Sequence, residues 1–303
     1  SMNRPYITAL ILLFASIANS WLFISKILPT IASDKPPGYQ SMYAVSEHLK
    51  TVAWVIKLND KTVGSAVSTV EPTPSGTATV WSNLQLHSLP LSDLLPPWAL
   101  ALLKVNRTTL HTTIELDVWG RMKIDGHGDL REFDSVVKIP GVQQDVHVYG
   151  TIDSENQVMV SLQSGDLQYD TKRYLPNGLS VRDELSPQAN MPGISQGQRW
   201  TVPIYSPLRP SNKPIELVYA HVAGHEVLRF DNQLITADIV NYRTTTDKHR
   251  QPRSRIWVGP RGRVLQHESI ILGKKLLFVR SPEDVALSPE SRLEQAKKLF
   301  NKQ

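Results

Sequence analysis

The sequence predicts a mainly β protein, with an N-terminal single transmembrane helix followed by one or more large curved antiparallel sheets. Three observations lead to this prediction. Residues Tyr6 to Ile24 form an apolar run without a charged residue. After residue 42, short runs of alternating apolar and polar residues are separated by turn-forming residues, which is typical of β-hairpins. In this later part of the chain, helical patterning is confined to a short apolar helix at 94–104 and a C-terminal helix.

The run from Tyr6 to Ile24 has the length of a membrane span. A helix rises about 1.5 Å per residue and a bilayer core is about 30 Å thick. The alternative is a signal peptide cleaved after Ser16-Ile17-Ala18, but the apolar run continues past that site. We therefore expect a retained anchor at 1–28 and a proline-rich linker at 29–41.

The expected location is a bacterial cell membrane, with the bulk of the chain on the periplasmic or extracytoplasmic side. The chain contains no cysteine, which excludes disulfides, cysteine-ligated zinc, iron–sulfur clusters and thiol catalysis. Its net charge of +5 is moderate and does not require nucleic acid as a partner. The bilayer itself is the first expected partner, and other membrane subunits are a second. Small residues that would let a partner helix approach the span are Ala15, Ser16, Ala18 and Ser20.

The remaining chain divides into four segments by composition. An antiparallel β unit covers 42–175 and includes the apolar helix. An irregular crossover rich in proline and glycine covers 176–198. A second antiparallel β unit follows at 199–280, and a C-terminal helix and tail cover 281–303. Serine and proline at 288 and 289 favour the start of that last helix.

The helix predicted at 94–104 is apolar on nearly its whole surface. Such a helix must be covered by other apolar groups. It therefore either packs into the core on one face of the sheet or forms a hydrophobic lid over a ligand cavity. In the second case the ligand-binding residues are Trp98, Leu100, Leu102 and Leu103.

Two hairpin-like segments align without a gap, Arg121 to Ser135 and Arg255 to Ser269. The arginine, a central glycine, an acidic residue and the final serine coincide. The two explanations are an internal duplication of the β unit and convergence, because hairpins of this length share turn chemistry. In the same regions the pattern predicts strand breaks at Gly120 and at Ala223-Gly224.

The second half, from about Arg199 to Arg280, resembles bacterial envelope proteins of the lipoprotein-carrier-like (LolA-like) half-barrel group. The residues that carry the resemblance are Gln198-Arg199-Trp200, Val222-Ala223-Gly224-His225-Glu226 and Arg255-Ile256-Trp257-Val258-Gly259-Pro260-Arg261-Gly262. The resemblance implies a curved sheet around an apolar hollow with helices on its concave side. A retained anchor would prevent such a protein from shuttling across the periplasm.

Motifs for catalysis or cofactor binding are weak, and the prediction includes no catalytic residue, cofactor or metal site. His221, His225 and Glu226 have a spacing that binds zinc on a helix, whereas the predicted turn at Gly224 separates them. The polar residues Asp125, His127 and Asp129 fit an exposed hairpin tip. The sequence contains no P-loop, no dinucleotide-binding fingerprint and no nucleophile elbow.

Positive charge concentrates between Arg243 and Arg263, where Asp247 is the only acidic residue. One interpretation is an ordinary solvated surface. The other is a surface that binds anionic lipid headgroups or an acidic protein. The residues assigned to that surface are Arg250, Arg253, Arg261 and Arg263.

These observations predict a membrane-anchored, extracytoplasmic, non-catalytic protein that binds a lipid, another apolar ligand or an envelope partner. Two alternatives remain, namely a structural accessory subunit of a larger membrane complex and an envelope hydrolase with scattered carboxylates. An apolar cavity would favour the first interpretation and a partner interface the second. Carboxylates clustered in a polar cleft would favour the hydrolase.

Overall fold

The protein, represented by a computed structural model, is built mainly from β-strands, as predicted. The described residues belong to one unit, Pro36–Gln303. The structure describes residues 51–73, 76–90, 113–126, 130–138, 144–155, 157–174, 182–183, 189–205, 215–247, 250–271, 274–282 and 290–300.

The first half of the chain is an antiparallel meander in which each strand pairs with the next. The turn between the first two strands places Asn59 (φ 50°) and Asp60 (φ 64°) in the left-handed region, which these residue types tolerate. The strands are β1 (Val52–Leu58), β2 (Lys61–Pro72), β3 (Ala78–Pro90), β4 (Thr113–Ile124), β5 (Leu130–Lys138), β6 (Val146–Ile152), β7 (Gln157–Ser164) and β8 (Leu167–Tyr174).

The second half forms another meander and ends with a helix. Its first strand is very short and pairs in parallel with the next, whereas the other pairings are antiparallel. The elements are β9 (Arg182–Asp183), β10 (Arg199–Tyr205), β11 (Ile215–Phe230), β12 (Gln233–Arg243), β13 (Ser254–Val258), a 3-10 turn (Pro260–Gly262), β14 (Val264–Ile271), β15 (Lys274–Arg280) and α1 (Glu290–Phe300).

The two halves share one sheet because β1 pairs antiparallel with β15. Trp54 lies opposite Arg280, and Ile56 lies opposite Phe278. The result is a 15-stranded sheet in the order β8-β7-β6-β5-β4-β3-β2-β1-β15-β14-β13-β12-β11-β10-β9. The two predicted β units are therefore joined edge to edge.

Both predicted strand breaks are wrong. The Ala223-Gly224 step lies within the continuous strand β11, where the pairing with β12 shifts between Val222 and Gly224. This extra residue is a β-bulge, a common use of glycine inside a strand. Gly120 lies inside the continuous strand β4. A Cβ added at this position would come within 2.5 Å of the hydroxyl oxygen of Ser82, which explains why the residue is glycine. That glycine serves a close approach between strands.

One face of the sheet, which we call the core face, carries a hydrophobic cluster that runs through both halves. Trp54 and Trp200 are each 1% exposed, and the Trp200 ring meets Tyr242 edge-on with centroids 6.4 Å apart. The crossover segment contributes Met191, which is fully buried. Burial of this apolar area is the main source of stability for the sheet.

The opposite face, which we call the helix face, carries α1. Leu293, Ala296 and Phe300 follow helical spacing and pack with Trp81 and Trp119. The Phe300 and Trp81 ring centroids are 6.1 Å apart. The predicted C-terminal helix is confirmed, and it covers the strands β2 to β4.

The predicted anchor and the predicted apolar helix at 94–104 lie outside the described residues. Across the part of the chain that the structure describes, no helix has the length and apolar character of a membrane span.

Candidate functional site

A groove of about 840 Å³ lies on the helix face, beyond the C-terminal end of α1. Phe300 closes one side, and the turn between β7 and β8 contributes Gly165. The polar side chains that line it are Arg121, Glu132, Asp134, Gln144, Asp145, His147, Tyr149 and Gln163.

The sheet register explains why these side chains meet. Arg121 on β4 lies opposite Asp134 on β5, which lies opposite Tyr149 on β6. In the adjoining row, His147 on β6 lies opposite Gln163 on β7. Directly opposed residues share one face of a sheet, with Cβ atoms about 5 Å apart. Four neighbouring strands therefore present one continuous polar surface.

A charge network forms the floor of the groove. The Nη2 atom of Arg121 donates to Asp134 Oδ2 at 3.2 Å and to Glu132 Oε1 at 3.1 Å. Lys123 Nζ donates to the second oxygen of Glu132 at 3.1 Å. The guanidinium of Arg121 lies 5.3 Å from the ring centre of Phe300. These contacts hold both carboxylates in fixed positions.

Burial changes the titration of two groups in the groove. It raises the pKa of the Asp134 carboxyl, although the nearby Arg121 opposes the increase. It also raises the pKa of Tyr149, to which the negative charges of Glu132 and Asp134 contribute. Tyr149 therefore stays a neutral hydroxyl at physiological pH and is able to donate a hydrogen bond. Its side chain is 42% exposed, so a ligand can reach it.

This arrangement suits binding of a polar ligand. Carboxylates accept hydrogen bonds, the amides of Gln144 and Gln163 both donate and accept, and Tyr149 adds an aromatic face with a hydroxyl. An apolar ligand would remove these groups from water without replacing their hydrogen bonds, which is unfavourable. The geometry therefore favours a ligand rich in hydroxyl or amide groups.

The predicted cationic surface is divided by the structure into two pairs of residues. Arg250 and Arg253 precede β13, whereas Arg261 and Arg263 follow it. A strand rises about 3.4 Å per residue, so the five residues of β13 keep the pairs more than about 13 Å apart. Arg253 donates a short hydrogen bond to Glu216, while Arg250 and Arg261 are exposed.

The other predicted site residues lie outside the described part of the chain. They are the ligand-binding candidates Trp98, Leu100, Leu102 and Leu103 and the membrane-partner candidates Ala15, Ser16, Ala18 and Ser20.

The bulge in β11 separates the two histidines considered as zinc ligands. His221 lies opposite Asn241, and His225 lies opposite Asp238. Asn241 and Asp238 are three residues apart on β12, so their side chains point to opposite faces. Among the residues that the structure describes, no group of three or more His, Asp or Glu side chains is placed to hold a metal ion.

Sequence reasoning did not identify the groove. The alignment of Arg121 to Ser135 with the second hairpin was the available signal, since it singled out Arg121 and Asp134. The contributions of His147, Gln163 and Phe300 depend on strand order and on where α1 ends, which local sequence does not specify.

The chain was compared with protein families, curated proteins and solved structures. No family model matches the sequence, and no curated protein matches it. Among solved structures, a β-barrel-like protein of the domain of unknown function DUF1849 from Brucella abortus is 9% identical with a TM-score of 0.44, covering 77% of this chain and 97% of its own. A DUF1089 family protein from Pseudomonas aeruginosa is 15% identical with a TM-score of 0.34, covering 66% and 87%.

Proposed function

We propose that the protein is a binding protein whose groove on the helix face holds a hydroxyl-rich ligand such as a saccharide. The observation that carries the proposal is the fixed network of Arg121, Asp134 and Glu132 beside the exposed Tyr149. Such a network presents acceptors and an aromatic surface without rearrangement. Preorganised polar groups lose little freedom when a ligand binds.

This proposal modifies the ligand class expected from the sequence. A lipid or other apolar ligand would require an apolar cavity, for which the helix at 94–104 was the candidate lid. The described groove is lined by charged and amide side chains instead. We therefore place the ligand among polar molecules of the cell envelope.

The binding test uses the full chain in detergent micelles. A short soluble oligosaccharide of N-acetylglucosamine is titrated by calorimetry, and a fluorescent fatty acid is titrated separately. We expect the oligosaccharide to bind and Tyr149→Ala to weaken binding about tenfold, because an aromatic contact and a hydrogen bond are lost. Tyr219→Ala is the matched control, since Tyr219 is 39% exposed on the helix face away from the groove.

Fatty-acid binding without oligosaccharide binding would contradict the proposal and favour the apolar-ligand interpretation. Equal losses in the Tyr149 and Tyr219 variants would show that the groove is not the site.

A second candidate function is hydrolysis of an envelope polymer. The specific observation is that Glu132 and Asp134 lie together in a cleft and that burial raises the pKa of Asp134. Two neighbouring carboxyl groups, one with a raised pKa, are the kind of pair from which glycoside hydrolysis draws its acid and its base or nucleophile. Incubation with the oligosaccharide followed by mass spectrometry distinguishes the two functions. Cleavage that disappears in Asp134→Asn would establish the enzyme, and intact oligosaccharide would favour simple binding.

The proposed binding protein is tethered to the membrane by residues 6–24, with the groove outside the cytoplasm. We expect detergent, but not alkaline carbonate, to release it from membranes, because a spanning helix resists carbonate. Release by carbonate alone would contradict the anchor. Mass spectrometry of the detergent extract also tests the accessory-subunit alternative, and liposome binding tests the proposed affinity of Arg250, Arg253, Arg261 and Arg263 for anionic headgroups.

A further inference from the structure

Strands β11 and β12 continue past their neighbours as a two-stranded arm, residues 225–238. They pair with each other as far as Phe230 opposite Gln233. On one side, β10 pairs with β11 only up to His221. On the other, β13 pairs with β12 only from Asp238 onward. Beyond its base the arm therefore pairs with no third strand among the described residues. Its other side packs through Leu228, Phe230 and Ile235 against the buried cluster of Ala237, Trp257 and Leu265.

One side of the arm is exposed and partly apolar. Leu234 is 74% exposed and Val227 is 58% exposed, the two highest values among the described large apolar side chains. Val227 lies opposite Thr236, and Arg229 lies opposite Leu234, so these four side chains share one side. Exposed apolar residues clustered in this way indicate a contact surface.

A pocket of about 490 Å³ lies at the base of the arm. Thr236 and Asp238 line it, and the alternation along β12 places Leu234 on their side of the strand. Its apolar lining includes Met191, Ile194 and Val258.

Several contacts give the pocket a fixed shape. The N–H of Met191 donates to the carbonyl of Gly262 at 2.7 Å. Asp238 Oδ1 accepts a hydrogen bond from Gln196 at 2.7 Å. An added Cβ at Gly262 (φ +75°) would come within 2.5 Å of the backbone of Pro192, so the two segments touch. The pocket is therefore formed before any partner binds.

We propose that the arm binds a second copy of this chain in a symmetric dimer, in which the tip of each arm enters the pocket of the other copy. A two-fold axis at the level of Val227 and Thr236 would place Leu234 of one copy at the level of Asp238 of the second copy. These two residues are about 14 Å apart along the strand. Leu234 would then enter the apolar part of the pocket, and both contacts would occur twice.

The charges on the arm and around the pocket fit this arrangement. Arg229 at the tip would meet Asp238 of the second copy. Arg229 forms no ion pair within the described part of the chain. Opposite charges that meet twice across a symmetric interface favour one orientation of the two copies.

The alternative occupants are a membrane surface and an unrelated protein. Asp231 at the tip and Asp238 at the base of the exposed side disfavour insertion among anionic headgroups. An unrelated protein would have to supply its own acidic partner for Arg229 and its own basic partner for Asp238. The second copy is the occupant for which the chain itself supplies both halves of the interface.

The principal experiment is analytical ultracentrifugation of the full chain in detergent, from about 1 to 100 µM. We expect a concentration-dependent dimer, and Leu234→Asp should raise its dissociation constant by about 30-fold or more because a central apolar contact is lost. Leu217→Asp is the matched control, since Leu217 is 40% exposed but lies outside the arm. A monomer throughout, or equal effects of both variants, would overturn the proposal.

A charge exchange tests the orientation of the two copies. Arg229→Asp and Asp238→Arg should each weaken the dimer, whereas the double variant should restore it, because the pair is reversed but retained. Circular dichroism establishes that each variant is folded. Failure of the double variant to recover affinity would overturn the proposed contact, even if the chain associates through its anchor.

Disulfide cross-linking provides a direct measure because the chain has no cysteine. Thr236→Cys lies near the proposed two-fold axis and should form a covalent dimer on mild oxidation, since a disulfide requires Cα atoms about 4 to 7 Å apart. Thr246→Cys, which is also exposed but outside the arm, is the control. Equal rates of cross-linking for the two variants would contradict the symmetric dimer.

Discussion

The hairpin of β4 and β5 and the hairpin of β13 and β14 have the same register but different surroundings. Arg121 lies opposite Asp134 in the first, and Arg255 lies opposite Glu268 in the second. The residues before these arginines also match, because Gly120 lies opposite Ser135 and Ser254 lies opposite Ser269. An internal duplication predicts this correspondence.

The matching arginines make different contacts. Arg121 donates to two carboxylates beneath Phe300. Arg255 donates from Nε to Asn241 at 3.2 Å, and its guanidinium lies 5.6 Å from the ring of Trp257. Glu268 instead pairs with a lysine at 3.0 Å. An opposed arginine and acid are therefore not enough to make a groove, because α1 and β6 supply the walls.

The largest expected difference between the hairpins comes from removing each arginine. Arg121→Met removes the cation paired with Asp134, whose side chain is only 10% exposed, and leaves Glu132 with Lys123 alone. We expect a loss of about 2 to 3 kcal/mol in the free energy of unfolding. Arg255→Met should lose less than about 1 kcal/mol, because Glu268 keeps its lysine partner. Urea denaturation measures both, and equal losses would contradict the distinction between the hairpins.

An intermediate effect is expected from the position that precedes each arginine. In Gly120→Ala the new methyl group meets the hydroxyl oxygen of Ser82 at 2.5 Å, which forces that side chain to another rotamer. We expect a loss of about 1 kcal/mol, most of it recovered by adding Ser82→Ala. At the matching position, Ser254→Ala removes a hydrogen bond of 2.8 Å to His267 and needs no such rescue. Thermal denaturation that shows no recovery in the double variant would contradict this explanation.

The smallest expected effect is a pH dependence from Asp134. Because burial raises its pKa in the folded state, this group contributes stability when protonated, and the contribution is lost as pH rises through the folded pKa. Relative to wild type, Asp134→Asn should therefore gain stability between about pH 3 and pH 7, by less than about 1 kcal/mol. Urea denaturation at several pH values measures the change. A relative loss over the same range would show that the contact with Arg121 outweighs burial.

Much of the secondary structure was predictable because its causes are local. The apolar run Val52–Leu58 and the turn at Asn59-Asp60 indicate a hairpin without reference to the rest of the chain, and the structure confirms it. The C-terminal helix was also predicted from its own residues. The predicted strand breaks at Gly120 and Gly224 were wrong, because the sequence alone does not distinguish a glycine in a turn from one that permits a close approach or a bulge inside a strand.

The groove was less predictable because its parts are distant in sequence. Arg121 and Asp134 were singled out by the hairpin alignment, but His147 and Gln163 joined them only through the pairing of β5, β6 and β7. Phe300 lies at the groove because α1 packs across Trp81 and Trp119.

The sequence by itself determined a β-rich chain with short hairpins, a final helix and no cysteine chemistry. These properties follow from residue type, alternation and turn preference over a few positions. Only the tertiary structure decided that β1 pairs with β15, that the polar side chains of four strands share one groove, and that one hairpin extends as an arm. Such arrangements depend on pairings between distant segments, whose energies are decided by packing and register across the whole sheet.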